Sequence, residues 1–208
     1  ARLLASTNVT GFDRPVIWDV SSGSRLDIPL QGIDGSVHPR AWSPDAQSIL
    51  VMQVSEARNQ LYIYDLTRST LHKLNHPDGV IAAAYFHGKD EIYAHFQSAT
   101  QPAALIALDA VSGAQKRVVL SGGDAPECRP MRSMTFPSVS GSTIQAWLAT
   151  PEGDGPFPTI IEAHGGPTAV QLNTYMPGAQ MWLDSGFAYC SVNYHGSTTF
   201  GRQFEHSI

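Results

Sequence analysis

The loop His164–Pro167, which reads His-Gly-Gly-Pro, contains the residue types best suited to chemistry in this sequence. It directly follows Thr159–Ala163, a short apolar run typical of a strand. Paired glycines let a backbone approach a substrate closely and turn its N–H groups outward. Fixed donors of this kind stabilise the negative charge that develops on a carbonyl oxygen during acyl transfer. The loop is therefore predicted to form part of an oxyanion hole.

The residues of this loop have different expected roles. Gly166 has no side chain to block an incoming carbonyl group, and Pro167 has no N–H to offer, so the backbone N–H of Gly166 is the predicted oxyanion donor. Pro167 also pushes the residue before it toward extended backbone angles. Gly165 is the expected hinge of the loop. His164 is expected to pack or to orient the loop rather than to act as a base, and a purely structural tight loop is the alternative.

The elements that position the loop are predicted from the residues on both sides of it. Met134–Pro137 and Thr143–Thr150 form a hairpin pattern ahead of the Thr159–Ala163 strand. A helix, another strand and the start of a second helix then follow. This order is typical of the opening of an α/β sheet with antiparallel strands at its leading edge. Such sheets bind ligands at the carboxyl ends of their strands, where the glycine loop lies.

The first of the two helices is predicted from Pro177, because the missing N–H of proline costs nothing in a first helical turn. Its predicted apolar stripe consists of Ala179, Trp182 and Leu183. Gly186 stands where a left-handed C-terminal cap belongs, and Phe187–Val192 is then the expected buried strand. The second helix is expected near Thr199. The apolar residues predicted on one face of it are Phe200, Phe204 and Ile208.

A repeat occupies the first 120 residues. Each copy has an apolar strand, an aspartate in a small polar turn and a second strand, and the aspartates are Asp19, Asp65 and Asp109. These aspartates are 46 and 44 residues apart, and a second marker, Trp42 and Phe86, repeats after 44 residues. A period in the mid-forties with about four strands per unit is the signature of a β-propeller. An evenly spaced β-sandwich is the alternative.

The sequence divides into three segments with different patterns. Residues 1–120 are predicted to be the C-terminal blades of a β-propeller, and residues 121–133, rich in Gly, Pro and acidic side chains, a linker. Residues 134–208 are predicted to be the N-terminal part of an α/β-hydrolase domain. A propeller has at least about four blades, whereas two whole blades and part of another fit here. We therefore expect both domains to be partial in these residues.

Three stretches of the second half match a known family pattern. They read Pro-Thr-Ile-Ile-Glu-Ala-His-Gly-Gly-Pro-Thr over residues 158–168, Ser-Gly-Phe over 185–187 and Val-Asn-Tyr-His-Gly-Ser-Thr-Thr-Phe-Gly over 192–201. Together they resemble the prolyl oligopeptidase family of serine peptidases, and most of all its acylaminoacyl-peptidase-like branch. The resemblance implies a β-propeller that caps an α/β-hydrolase domain, peptide substrates, and a Ser-Asp-His triad. It also implies that Gly166 gives its N–H to the oxyanion.

One residue departs from the pattern of that family. His195 stands where the family usually has Arg, in the turn Asn-Tyr-Arg-Gly-Ser. Arg is a permanently charged forked donor, whereas His is neutral over much of the pH range, so the contact that Arg makes is expected to be weaker or pH-dependent. Residues 1–120 lack the pair of adjacent glutamates that marks the dipeptidyl-peptidase branch. The subfamily is therefore left open.

The nucleophile of this chemistry is missing from the sequence. It needs Gly-x-Ser-x-Gly on a strand-to-helix turn, because only that strained turn exposes the hydroxyl. None of the 18 glycines begins such a motif. Since Ser, Asp and His follow in that order along an α/β-hydrolase chain, all three members of the triad are expected beyond Ile208. The 208 residues alone are therefore expected to be inactive.

Composition and spacing argue against several other function classes. The chain has 13 Lys and Arg against 18 Asp and Glu, with no basic cluster, which disfavours nucleic-acid binding. No apolar run approaches the roughly 18 residues of a membrane span. The eight histidines are scattered along the chain and the cysteines show no Cys-x-x-Cys spacing, so neither a metal nor a cofactor is expected. Ser142 and Ser197 are expected to be structural turn residues with no base nearby.

The remaining features leave other questions open. Cys128 and Cys190 are too few for a disulfide framework, and Cys190 is expected to be a buried, inert thiol. The N-terminus shows neither Met nor a signal-peptide pattern, so the true start is expected upstream and the compartment is open. Oligomeric state and cleavage specificity are also open. Beside the peptidase hypothesis stand an α/β-hydrolase esterase and a non-enzymatic propeller module that binds protein, although a pure propeller has no use for the glycine loop.

Overall fold

The computed structural model describes residues 1–166 and 168–208. Within these residues the chain forms four β-sheets and two short helices. The first sheet has three strands, β1 (Arg2–Thr7), β2 (Arg14–Asp19) and β3 (Arg25–Asp27). The second has four, β4 (Ser36–Trp42), β5 (Ser48–Ser55), β6 (Arg58–Asp65) and β7 (Thr70–Lys73). The third also has four, β8 (Val80–His87), β9 (Glu91–Ser98), β10 (Gln101–Asp109) and β11 (Gln115–Leu120).

In each of these three sheets every strand pairs antiparallel with the strand next to it in sequence. The spatial orders are β1-β2-β3, β4-β5-β6-β7 and β11-β10-β9-β8. The sequence repeat therefore corresponds to one antiparallel sheet per copy, with two four-stranded sheets and one three-stranded sheet. This agrees with the predicted two whole repeats and part of another.

The repeated aspartates close the turns of these sheets. In the turn between β10 and β11, Oδ1 of Asp109 accepts the backbone N–H of Val111 at 3.1 Å and that of Ser112 at 2.8 Å. Asp19 and Asp65 accept the N–H groups two and three residues further on in the same way. The three hydrogen-bonded turns confirm the local role predicted for these residues.

The core of the first 120 residues lies between successive sheets. One cluster joins Ile17 of β2 to Ile49 of β5, and a second joins Leu61 of β6 to Ile92 of β9. β5 reads Ser-Ile-Leu-Val-Met-Gln-Val-Ser, and its consecutive apolar residues are buried because sheets pack on both of its faces. Each such side chain contributes about 1.5–3 kcal/mol when it is fully buried.

The fourth sheet contains β12 (Arg132–Pro137), β13 (Thr143–Ala149), β14 (Thr159–Ala163) and β15 (Ala188–Asn193), in the order β12-β13-β15-β14. β12 and β13 form the predicted antiparallel hairpin, and β13 also runs antiparallel to β15. β14 and β15 are parallel, as their connection through helix α1 (Pro177–Asp184) requires. The fold is mainly β, and of an α/β domain the described residues contain this one strand–helix–strand unit.

The sequence predictions for the two helices beside this sheet need correction. Trp182 is 37% exposed and does not share the buried stripe of Ala179 and Leu183 on α1. The second helix, α2, is limited to Arg202–Glu205, so the prediction that Phe200 and Ile208 lie on it is wrong. For Phe200 the physical reason is Gly201, whose backbone angles, φ 92° and ψ 156°, prevent the helix from starting earlier.

Of the two cysteines, Cys190 differs from what was expected. Cys190 on β15 is half-buried rather than fully buried. Its burial is sufficient to raise the pKa of its thiol, which disfavours the reactive thiolate. Cys128 is buried although it lies in the predicted linker. Neither cysteine is in a disulfide.

Candidate active site

The glycine loop lies at the edge of the fourth sheet where two parallel strands end. Ala163, the last residue of β14, is paired with Val192 of β15, so His164 leaves the sheet beside the turn that follows β15. Because parallel strands end at one edge, residues 164–166 and 193–198 meet there. The predicted oxyanion loop is thus at the position where open α/β sheets bind ligands.

The side chain of His164 is held on three sides. Its Nδ1 lies 3.1 Å from the carbonyl oxygen of Gly165, and its Nε2 lies 2.8 Å from Oγ of Ser197. The ring stacks on Tyr194 with 4.8 Å between centroids and 23° between planes, and the Tyr194 hydroxyl donates to the His164 carbonyl. Both ring nitrogens are therefore engaged in this structure. The geometry suits the orienting role predicted for His164 and leaves no free nitrogen for a base.

These contacts also define the tautomer of His164. A carbonyl oxygen can only accept, so the contact with Gly165 requires the proton on Nδ1. In the neutral ring Nε2 then accepts the hydroxyl proton of Ser197. His164 and Ser197 are 33 positions apart in sequence, and the sequence gives no direct sign of their pairing.

Ser197 was predicted to have no base nearby, and this part of the prediction is wrong. The pair that it forms with His164 resembles a serine nucleophile beside its base. However, Ser197 is 0% exposed, so a substrate carbonyl cannot reach its hydroxyl. The predicted structural role therefore suits Ser197, with His164 as its hydrogen-bond partner.

Gly166 has a backbone conformation that favours glycine. Its φ is +139°, and a Cβ atom added there would lie 2.9 Å from the backbone nitrogen of Thr168. Gly165, by contrast, has open space around it. Both glycines are exposed, and within the described residues neither N–H donates to a backbone acceptor. The N–H of Gly166 is thus available to a ligand, while Pro167, predicted to pre-set this loop, lies outside the described residues.

The segment after the glycine loop is fixed by a buried amide that sequence inspection missed. Asn193, the last residue of β15, is fully buried. Its Oδ1 accepts the N–H of Gln171 at 2.7 Å, and its Nδ2 donates to the Gln171 carbonyl at 3.0 Å. Nε1 of Trp147 donates to the same carbonyl at 3.0 Å. Asn193 thereby ties residues 168–176 to the sheet, a role that its polar type within an otherwise apolar strand could have suggested.

Two further contacts connect the site to its surroundings. The N–H of Thr198 donates to the carbonyl of Ala169 at 2.9 Å, which binds the far side of the glycine loop to the turn after β15. His195, at the position where the resembling family has Arg, stacks on Phe204 with 5.0 Å between ring centroids. His195 thus packs against α2 by its ring face.

Other kinds of site find little support among the described residues. No group of three His, Cys, Asp or Glu side chains in residues 1–166 and 168–208 is placed to hold a metal ion. In the same part of the chain no helix is long and apolar enough to cross a membrane. The loop with its free N–H therefore remains the candidate site.

Comparisons with known proteins point to hydrolases. No protein-family model matches the chain. Dipeptidyl-peptidase 4 of Giardia intestinalis is 22% identical over 193 residues, which cover 77% of this chain and 25% of the relative. Esterase FrsA of Salmonella typhi is 35% identical over 63 residues, which cover 30% of this chain and 15% of the relative.

The fold itself matches solved peptidase structures. A puromycin-hydrolyzing peptidase of Mycobacterium tuberculosis superposes with a TM-score of 0.78 and 17% identity, over 98% of this chain and 33% of that one. The matched region includes all four sheets, because nearly the whole chain is covered. The chain spans between about one seventh and one third of the length of these three proteins.

Proposed function

We propose that these 208 residues are part of a serine peptidase of the prolyl oligopeptidase family, which hydrolyses peptide bonds through an acyl-enzyme. The observation that carries the proposal is Gly166, whose N–H is unpaired within the described residues at the carboxyl end of β14. Its backbone angle favours glycine, so the position suits a donor loop better than an ordinary turn. The match of the whole fold to a peptidase structure adds support.

The chemistry assigned to Gly166 is electrostatic. When a nucleophile attacks a peptide carbonyl, the oxygen becomes negative, and a fixed N–H aimed at it stabilises the transition state more than the substrate. A single donor of this kind contributes roughly 10²–10³-fold to kcat. The second donor of an α/β-hydrolase comes from the residue after the nucleophile. Nucleophile, Asp and His are assigned to residues outside these 208, since no Gly-x-Ser-x-Gly occurs here.

The domain assignment belongs to the same proposal. Residues 1–120 are assigned to blades of a β-propeller, which is supported by three consecutive antiparallel sheets packed on one another. Residues 121–133 are assigned to the linker, although its last two residues, Arg132 and Ser133, already belong to β12. Residues 134–208 are assigned to the first part of an α/β-hydrolase domain, which is supported by the parallel pair β14 and β15 and its connecting helix. The assignment to the acylaminoacyl-peptidase-like branch is supported by the resemblance around the His-Gly-Gly-Pro loop, while His195 departs from the family pattern. The substrates assigned to the protein are peptides.

An esterase is the second candidate function. It is supported by the 35% sequence identity over 63 residues to Esterase FrsA, the highest sequence identity among the relatives described above. An oxyanion loop serves ester and amide hydrolysis alike, because both pass through a tetrahedral oxyanion. The two candidates therefore share the site and differ in substrate.

The test uses the full-length protein. We expect it to react with a serine-directed fluorophosphonate label and to hydrolyse peptide p-nitroanilides. We also expect its coding sequence to carry Gly-x-Ser-x-Gly within roughly 100 residues after Ile208. Hydrolysis of p-nitrophenyl esters without any amide cleavage would favour the esterase. A protein that neither labels nor carries the motif would exclude both. The 208-residue piece alone, used as the control, is expected to show neither labelling nor turnover.

A further inference from the structure

We infer that Ser197 is a positioning residue for the oxyanion donor, through a relay from its hydroxyl to the His164 ring and from that ring to the Gly165 carbonyl. The relay fixes the direction of the Gly166 N–H. It rests on the proposed function, because it assigns a purpose to the N–H that this function uses. The two contacts that form it are 2.8 Å and 3.1 Å long.

The end of the relay is a single peptide unit. The carbonyl of Gly165 and the N–H of Gly166 belong to the same planar trans peptide, so they point in opposite directions. A donor that holds the carbonyl therefore holds the N–H as well. The Nδ1–H of His164 is such a donor.

This peptide unit needs a restraint of that kind. It is flanked by Gly165 and Gly166, and glycine allows backbone rotations that other residues forbid. Rotation of the whole peptide between two glycines meets little steric resistance, and Gly165 has open space around it. An oxyanion donor must nevertheless be aimed in advance, because its value comes from needing no reorganisation during the reaction.

The His164 ring can restrain the peptide because it is itself restrained. Its face stacks on Tyr194, and its far nitrogen, Nε2, is held by the buried Ser197 hydroxyl. A hydroxyl donates to the neutral ring and accepts from the protonated ring, so this contact persists in both charge states of His164. Without Ser197 the ring would retain its stacking partner but lose the contact that selects its rotation.

Ser197 has a fixed position from which to act. Its own N–H donates to the carbonyl of Tyr194 at 2.9 Å, which closes the turn after β15. The neighbouring N–H of Gly196 donates to the carbonyl of Phe204 at 3.1 Å. The turn is therefore closed by its own hydrogen bond to Tyr194 and tied to α2 through Gly196, so the hydroxyl has a defined position from which it contacts His164.

The test compares Ser197→Ala with a matched control in the full-length protein. The control is Ser191→Ala, since Ser191 is also fully buried but its hydroxyl makes no hydrogen bond with the described residues. Active sites are counted with a fluorophosphonate, and kcat is given per labelled site, so that loss of folded protein does not count. We expect Ser197→Ala to lower kcat about tenfold, a fraction of the 10²–10³-fold loss of a whole donor, with KM within about twofold. The control should leave both unchanged.

A double-mutant cycle separates the relay from a general structural role. In His164→Asn the side-chain amide can still donate to the Gly165 carbonyl, but it has no group in the position of Nε2. Ser197→Ala should therefore lower kcat about tenfold beside His164 and by less than about twofold beside Asn, because coupled residues are non-additive. Equal effects in both backgrounds would contradict the relay.

A crystal structure of the full-length Ser197→Ala variant gives a readout that does not need activity. The relay predicts a rotated or disordered Gly165–Gly166 peptide in that variant and an unchanged peptide in Ser191→Ala. If the parent protein is inactive but the peptide rotates, the proposed function fails and the relay stands. If the parent is active, while the peptide stays in place and kcat per site equals that of the control, the relay is wrong.

Discussion

Oγ1 of Thr199 lies 3.0 Å from the backbone nitrogen of Ala57 and accepts its N–H, although the two residues are 142 positions apart. The Thr199 carbonyl accepts the N–H of the neighbouring Glu56 at 3.1 Å. One residue of the second half thus binds both central residues of the turn between β5 and β6. Thr199 does so with φ at +76°, a left-handed angle that β-branched residues rarely adopt. The junction between the two halves therefore contains a strained residue, two positions from Ser197.

Replacing Thr199 is expected to loosen this junction. Thr199→Ala leaves the N–H of Ala57, a residue 1% exposed, without its acceptor. The loss of such a partner typically costs about 1–3 kcal/mol. Thr199→Asn should cost less, because Asn tolerates left-handed angles and retains a side-chain acceptor. Amide hydrogen exchange in the full-length protein measures the effect, as faster exchange at Ala57. Thr70→Ala, at an exposed threonine of β7, is the control, and equal exchange in all three variants would contradict the expectation.

The aspartate turns of the repeats should respond to the removal of their acceptor. We expect Asp109→Ala to lower the thermal midpoint, because the N–H groups of Val111 and Ser112 lose Oδ1. Asp109→Asn should lower it less, since the amide oxygen replaces one acceptor. The hydrogen bonds hold the pKa of Asp109 below its usual value, so this contribution is present above about pH 4 and decreases as the carboxylate is protonated. Asp124→Ala, in an exposed loop, is the comparison. A larger loss in that variant would be evidence against the turn's importance.

The predictions that succeeded depended on local chemistry. The aspartate turns could be predicted because an Asp side chain bonds N–H groups two and three residues ahead of it. Helix α1 begins at the predicted Pro177 and ends before Gly186, whose φ is +84°. In both cases the deciding atoms are within a few residues of one another, so the sequence contains the whole interaction.

The parts that could not be predicted depend on distant pairings. The contact between His164 and Ser197 exists because Ala163 is paired with Val192, and the sequence does not state the register of β14 on β15. The acceptor role of Thr199 depends on where the two halves of the chain meet. The short α2 also involves a distant contact, because Gly201, whose left-handed φ stops the helical pattern at Phe200, lies against the ring of Phe12, 3.0 Å from where a Cβ would be.

His76 is expected to make the second sheet sensitive to acid. Its Nδ1 lies 2.8 Å from the carbonyl of Pro77, so it carries the proton, and Nε2 accepts the N–H of Leu61 at 3.1 Å. This arrangement requires a neutral ring, and burial lowers the pKa of His76 below 6.5. Its contribution to stability is therefore complete above pH 6.5 and is lost as the pH falls toward the lower pKa of the folded state.

Hydrogen exchange at Leu61 between pH 5 and pH 8 measures this effect in the full-length protein. After correction for the intrinsic rate, protection should fall as the pH drops below about 6.5. In His76→Asn the pH-dependent part should disappear, and in His72→Gln, at an exposed histidine of β7, it should remain. Protection that is independent of pH in the parent protein would show that His76 does not protonate in this range.

Gly166→Val is expected to remove the oxyanion donor from its place. A Cβ at this position meets the nitrogen of Thr168 at 2.9 Å, and φ of +139° is strained for any side chain, so the loop must move. We expect kcat of the full-length protein to fall roughly 10²–10³-fold. KM should change far less, because the donor acts chiefly in the transition state.

Gly178→Ala is the matched control for this variant, since the glycine lies on α1 with open space around its Cβ position and its φ outside the left-handed region. It should leave kcat unchanged and raise the thermal midpoint slightly, because Ala favours a helix more than Gly does. Steady-state kinetics and a thermal melt are measured for both variants. A Gly166→Val protein that melts like its parent and keeps kcat within a few-fold would exclude Gly166 as the donor. A large loss of kcat at an unchanged melting temperature is the result that a donor requires, since a glycine needed only for folding lowers both together.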